Sequence, residues 1–213
     1  MRFVIGFVAS LAAGLASAAT PIKGVYSSIF GGYTYLPNNV NHTNYAGLTV
    51  SNASYWSGFD AGGSLGYKSN PMRYEGELTY LQANVKKFNV NSSQQTGVTG
   101  YSNAIFAMAN VYYDFPNWFD TLSPFLGGGI GYGWVSAHLN GTGPIGYTQF
   151  RGSNCRFSYQ GTAGITYNFS ENYALNIGYR YIATVNSNQL GKFFQANLAS
   201  VGAVYRFDEG RYK

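Results

Sequence analysis

Residues Arg156 to Phe169 read RFSYQGTAGITYNF. Phe157, Tyr159, Gly161, Ala163, Ile165, Tyr167 and Phe169 fall on one parity, and Arg156, Ser158, Gln160, Thr162, Gly164, Thr166 and Asn168 on the other. Side chains of an extended chain alternate between two faces, so this is a strand with one apolar face bounded by aromatics and one polar face.

The same period recurs along the chain. FDAGGSLGYK sets Phe59, Ala61, Gly63, Leu65 and Tyr67 against Asp60, Gly62, Ser64, Gly66 and Lys68. RYEGELTY sets Tyr74, Gly76, Leu78 and Tyr80 against Arg73, Glu75, Glu77 and Thr79, with SNPM as a tight turn between the two segments. YALNIGYRY sets Tyr173, Leu175, Ile177, Tyr179 and Tyr181 against Ala174, Asn176, Gly178 and Arg180. Weaker alternation runs over Val25 to Leu36, Ala104 to Phe115, Phe125 to His138 and Phe194 to Phe207, which completes eight strands.

Short connections fall near 69–72, 116–124 and 170–172, and long polar ones near 37–57, 82–101, 139–155 and 184–193. Short and long connections therefore gather at opposite ends. Strands of ~9 to 11 residues, apolar outside, polar inside and aromatic at both ends, predict an all-β, eight-stranded antiparallel up-and-down transmembrane β-barrel. The competing reading is a secreted soluble barrel or sandwich with the apolar face turned inward. Alternation alone does not separate them. The loop asymmetry, the paired aromatic ends and a charged content of only 10%, against roughly 25% in soluble domains, favour lipid.

The first residues, MRFVIGFVASLAAGLASAAT, combine Arg2, an apolar run and the small-residue pattern Ala16-Ser17-Ala18. They read as a cleaved secretory signal over 1–18, followed by the barrel over 19–207 and a short polar periplasmic tail over 208–213. The single cysteine, Cys155, excludes an internal disulfide, and Lys86-Lys87 is the only adjacent basic pair, so nucleic acid is not an expected partner.

Near the end of the chain, SVGAVYRF places Ser200, Gly202, Tyr205 and Phe207 in the pattern polar-x-Gly-x-x-aromatic-x-aromatic. This resembles the last-strand signal that Gram-negative outer-membrane proteins present to the barrel assembly machinery. RYEGELTYL, MANVYYDF, SPFLGGGIGYGW and ENYALNIGYRY resemble segments of the opacity-like, OmpA-like surface-antigen family of eight-stranded barrels. The resemblance implies residence in the outer membrane of a Gram-negative bacterium, with four long loops outside. It implies as partners the outer-membrane lipid with its lipopolysaccharide, the assembly machinery, and a host or surface ligand for the loops. DEGRYK after Phe207 departs from a signal that usually ends the chain.

An eight-stranded interior is just wide enough to be filled by side chains. The polar face supplies Asp60, Lys68, Arg73, Glu75, Glu77, Asp114, Arg156, Arg180 and Arg206, five basic against four acidic. Near balance predicts a lumen plugged by charge pairs, since isolated buried ions are very costly; an ion gate built from the same pairs is the alternative. Counting from the turns sets Asp60 and Arg180 at similar height and Glu77 lower, within reach of a long arginine only under a favourable shear. No cofactor or metal is expected: His42 and His138 lack a Cys or carboxylate cluster. GGGIGYG, Gly127 to Gly133, opens no helix and reads as space for bulky lumen neighbours rather than a phosphate cradle.

Ser136 and His138 share one strand face, which suggests serine chemistry on lipid A, but no nearby carboxylate orients the imidazole, and lipid A deacylases carry their histidine before the serine. The Asn-x-Ser/Thr triplets at Asn41, Asn52, Asn91 and Asn140 read as polar loop composition. The expectation is a non-enzymatic surface barrel with a structural or adhesive role. A narrow solute pore and a lipid-modifying enzyme are the alternatives.

Overall fold

The computed structural model describes residues 23–37, 43–45, 48–91, 93–115, 121–143, 146–185 and 193–207. The proposed signal over 1–18, the tail over 208–213 and His42 lie outside them. Eight strands form a closed ring: β1 (Gly24–Tyr35), β2 (Gly58–Ser69), β3 (Met72–Val90), β4 (Thr96–Asp114), β5 (Leu122–Gly143), β6 (Gly146–Asn168), β7 (Tyr173–Thr184) and β8 (Gln195–Arg206). Each pairs antiparallel with its sequence neighbours, and β1 pairs with β8 from Tyr26↔Arg206 to Tyr35↔Asn197. The ring leaves no open edge, which is what a sheet needs where no water can satisfy peptide groups.

Parity decides which face is which. Ile29, Leu65, Leu78, Ile130, Ile165, Ile177 and Val201 stand exposed on the outer wall. Aromatics bound this apolar band at the short-turn end, where Phe169, Tyr173, Tyr205 and Phe207 follow one another with ring centroids 5.1 to 6.4 Å apart. Phe59 with Tyr80, and Tyr132 with Phe157, mark the other border, each pair at 6.0 Å. Inward positions are crowded. A Cβ on Gly127 or Gly133 would come within 2.2 Å of Tyr112 and 2.4 Å of Phe106, so these glycines make room for the rings that fill the bore.

Two expectations change. The long connections near 82–101 and 139–155 are not loops: β3 and β4 run 19 residues each, β5 runs 22 and β6 runs 23, against 12 for each of the other four. A short strand, Leu48–Tyr55, lies on the protruding part of β3, with Ser54↔Lys87 and Tyr55↔Val85 in register. The interior is also not polar throughout. Above Thr79 the inward positions become Leu81, Ala83, Val85, Ala104, Phe106, Val135, Ala137, Leu139, Ile182, Phe194 and Leu198, joined higher up by Phe88, Val90 and Phe150 in one buried cluster. Beyond the lipid the outer wall meets water, so apolar side chains turn inward and polar ones outward, while the strand period stays the same. Two irregularities interrupt it in the ring strands: Lys86 and Lys87 are both exposed between inward Val85 and Phe88, beside a register shift, and β4 shifts register against β5 between Thr96 and Thr99, where Thr96 and Gly97 are both exposed.

Inward and outward glycines should respond oppositely to substitution. Gly161 faces outward, and a Cβ there meets nothing within 4 Å, whereas Gly133 abuts Phe106. Gly161→Leu should change stability by no more than about 0.5 kcal/mol, while Gly133→Leu should lose about 1 to 3 kcal/mol in urea unfolding from bilayers. Equal losses at the two sites would mean that Gly133 does not face the packed bore.

Candidate functional site

The bore contains two zones. In the lower one, Lys68 Nζ lies 2.5 Å from Asp114 Oδ2, and Arg73 bridges Asp114 Oδ1 at 2.8 Å and Glu75 Oε1 at 3.3 Å. The Tyr26 hydroxyl donates to Glu75 at 2.5 Å. The Arg73 guanidinium also lies against the rings of Tyr112 and Phe125, at 4.9 and 4.8 Å. Higher up, Arg180 Nη1 reaches Glu77 Oε1 at 2.7 Å, Asn110 donates to the other Glu77 oxygen at 3.0 Å, and Gln160 donates to Asn110 at 2.6 Å. Strands β3 and β7 stand four places apart in either direction round the ring, so the Arg180–Glu77 pair crosses the whole bore.

Six of the nine charged lumen residues are therefore in ion pairs: Lys68, Arg73, Glu75, Glu77, Asp114 and Arg180. The other three are held differently. Asp60 accepts from Thr34 at 3.2 Å and Ser200 at 2.8 Å rather than pairing with Arg180. Arg206 donates to Asn168 Oδ1 at 2.5 Å and the Glu171 carbonyl at 3.2 Å. Arg156 points inward at the level of Phe106, and among the described residues no carboxylate lies within 4.0 Å of it. Of the two acids that the height count set near an arginine, Arg180 pairs with Glu77, the one that needed a favourable shear, because height on the ring depends on stagger as well as on distance from the turn.

Two small cavities interrupt the packing, one of about 50 Å³ between the Arg73 and Arg180 groups and one of about 10 Å³ beside Lys68 and Arg206. Arg73 Nη2, Arg180 Nε and Thr162 Oγ1 have no partner among the described residues and line the larger one, a setting that suits bound water. The second zone, above these charges, is the apolar cluster, with Phe106 and Phe194 ring centroids 6.0 Å apart. Sequence parity carried this signal, because Leu81, Ala83 and Val85 share the face of Arg73, Glu75 and Glu77.

Ser136, His138 and Cys155 lie apart from the bore network. Ser136 Oγ and Ser153 Oγ are 3.0 Å apart, while the His138 ring lies against Tyr101 at 5.1 Å. Each thus engages a neighbouring strand rather than forming a serine–histidine dyad. Cys155 is exposed opposite Trp134, and among the described residues no cluster of three His, Cys, Asp or Glu could hold a metal. Gly127 to Gly133 lies wholly within β5. In β8, Ser200 and Gly202 face inward and Tyr205 faces outward, as does Phe207 just past the strand, whose amide donates to Val25 O at 2.9 Å.

A family described as outer membrane protein beta-barrel domain matches residues 5–207. An outer membrane protein of Gluconacetobacter diazotrophicus is 32% identical over 190 residues, covering 80% of this chain and 48% of its own length, so the chain spans about half of that relative. Among solved structures, Neisserial surface protein A superposes with a TM-score of 0.59 at 19% identity, over 86% of this chain and 97% of the other. OprG from Pseudomonas aeruginosa gives 0.53 at 11% identity, over 89% and 100%. At these identities the likeness is one of fold.

The trans-bore pair gives a double-mutant test. Glu77→Ala or Arg180→Ala alone strands the opposite charge and should cost about 3 to 5 kcal/mol in urea unfolding. Replacing both by Met should recover at least half of that loss. Additive losses would show that the two side chains are not coupled.

Proposed function

The chain belongs to the outer membrane protein beta-barrel domain family, and from that premise we propose a non-enzymatic surface protein that holds a rigid binding wall above the outer membrane. One observation carries this reading. Strands β3 to β6 have 19 to 23 residues, about twice the ~9 to 11 that a tilted strand needs to span hydrocarbon. The excess is stiffened by buried Val85, Phe88, Val90, Leu139 and Phe150. Crossing the membrane does not require such a structure, whereas presenting a preorganised surface does, because an ordered wall loses less entropy on binding than a loop. The outer hairpins are the proposed contact region for a host or surface ligand.

The bore serves in this reading as a stopper. Paired charges below and apolar rings above pack the bore among the described residues, with cavities of about 50 and 10 Å³ between the charged groups, which favours the plugged state over a narrow solute pore. Replacing Lys86–Val98 and Leu139–Phe150 by Asn-Gly turns should leave the heat-resistant barrel folded and abolish cell adhesion or capture of its ligand. Retained adhesion would remove the role given to the wall. In planar bilayers the intact protein should show near-zero conductance, and Arg180→Ala alone should remain closed because Phe106, Phe194 and Leu198 still cover it. Steady conduction by the unaltered protein would favour the pore.

Ser200, Gly202, Tyr205 and Phe207 are proposed as the signal read by the barrel assembly machinery. Two outward aromatics one pleat apart at the membrane border, beside the closing pair of strands, support that role. Phe207→Ala should lower surface levels more than deletion of 208–213, as read by surface immunoblotting. A severe defect from the deletion alone would reassign the signal to the tail.

A further inference from the structure

The outer wall of β3 to β6 changes chemistry with height on a single parity. At the border, Tyr80, Ile105, Trp134 and Cys155 form one registered row, and four residues higher along the strands lies the row Asn84, Tyr101, His138, Arg151. The two rows are ~13 Å apart along the strand, and the upper one spans ~14 Å across its four strands. Lys86 continues the same face, its ammonium 4.4 Å from the Trp56 ring, and Lys87 is exposed beside it. No aspartate or glutamate occurs between Glu77 and Asp114 or between Asp120 and Glu171, so this face has positive charge and no negative charge.

Directly below, the apolar wall is concave. An open furrow of about 930 Å³ runs between Ile29, Leu65, Leu78 and Ile130, its floor lowered by Gly76 and Ala107. A Cβ on Gly76 would meet nothing within 4 Å. Furrow and basic rows share strands β3 to β5, with the rows above; the furrow continues over β1 and β2, and Arg151 extends the upper row onto β6.

We propose that this wall seats one phosphorylated glycolipid of the outer leaflet, with acyl chains in the furrow and the phosphosugar headgroup against Trp56, Lys86, Lys87, Tyr101, His138 and Arg151. Aromatic faces suit sugar rings, and long basic side chains extend along an apolar surface to reach phosphates near the interface. A soluble polyanion would use the charges but not the furrow. A simple anionic phospholipid would use the furrow but leave the rows above it uncovered. Each Lys or Arg near an anionic membrane surface contributes roughly fivefold in binding.

The test is native mass spectrometry of the barrel released from nanodiscs that contain bisphosphorylated lipid A, the same lipid without phosphates, or phosphatidylglycerol. The unaltered protein should retain bisphosphorylated lipid A at least tenfold over either alternative. Lys86→Gln/Lys87→Gln/Arg151→Gln should reduce that retention at least tenfold while keeping the heat-dependent gel shift of a folded barrel, and Gly76→Leu should reduce it by filling the furrow. The proposal is overturned if either variant retains wild-type amounts, or if phosphatidylglycerol is held equally. It is also overturned if a soluble sulfated polysaccharide binds with the same Lys86 and Arg151 dependence while lipid A is not retained.

Discussion

A peptide group in hydrocarbon has no hydrogen-bond partner except another peptide group, so a sheet in the membrane must close on itself. The contact between β1 and β8 meets that requirement, and the rest of the molecule depends on it. Closing eight strands draws the walls so near that the bore must be filled by side chains. Glycines on one strand then face rings on the next, as Gly62 faces Phe30 and Gly66 faces Tyr26. Closure also completes polar partnerships between residues remote in the chain. Ser200 on β8 supplies a hydrogen bond to Asp60 on β2, and Arg206 finds Asn168 on β6.

Burying charge is unfavourable unless it is paired and hydrogen-bonded, and here the carboxylates of the lower bore receive more than one donor each. Glu77 takes Arg180, Asn110 and Thr79, while Asp114 takes Lys68 and Arg73. The apolar zone above follows from a different cause. Within the membrane, facing inward gains a side chain little hydrophobic stabilisation, because lipid outside is as apolar as any core. Above the membrane the outside is water, and the hydrophobic effect acts on Phe88, Leu139 and Phe150 as it would in a soluble protein. The wall thus follows the membrane rule for half its height and the soluble rule for the rest.

That division explains what the sequence disclosed. Strand number, order, the faces of the clearest alternating segments and the outer-membrane location were legible, because RFSYQGTAGITYNF and its counterparts carry parity and aromatic borders together. The residues 82–101 and 139–155 read as loops because their outward positions are polar, which in a barrel resembles a connection. Yet Leu81, Ala83 and Val85 continue the parity of Glu77, and the absence of any acid across both segments was also open to inspection. The partner of Arg180 was not legible. It depends on how far each strand is staggered against the next, a property of the closed ring that no single segment encodes. Ser136 and His138 share a face as spacing required, but cross-strand neighbours Ser153 and Tyr101 determine what each touches.

Because both halves of the wall share one parity, the length of each hairpin is constrained in evolution. Adding a pair of residues to a strand above the border lengthens the wall and keeps every later side chain on its proper face. Adding one reverses them all. Insertions and deletions in relatives should therefore accumulate in even steps per strand. An odd step survives only where a local irregularity absorbs it, as the exposed Lys86 and Lys87 do between Val85 and Phe88. The protruding wall can vary in height while the ring beneath it stays unchanged, and the unit of that variation is the dipeptide.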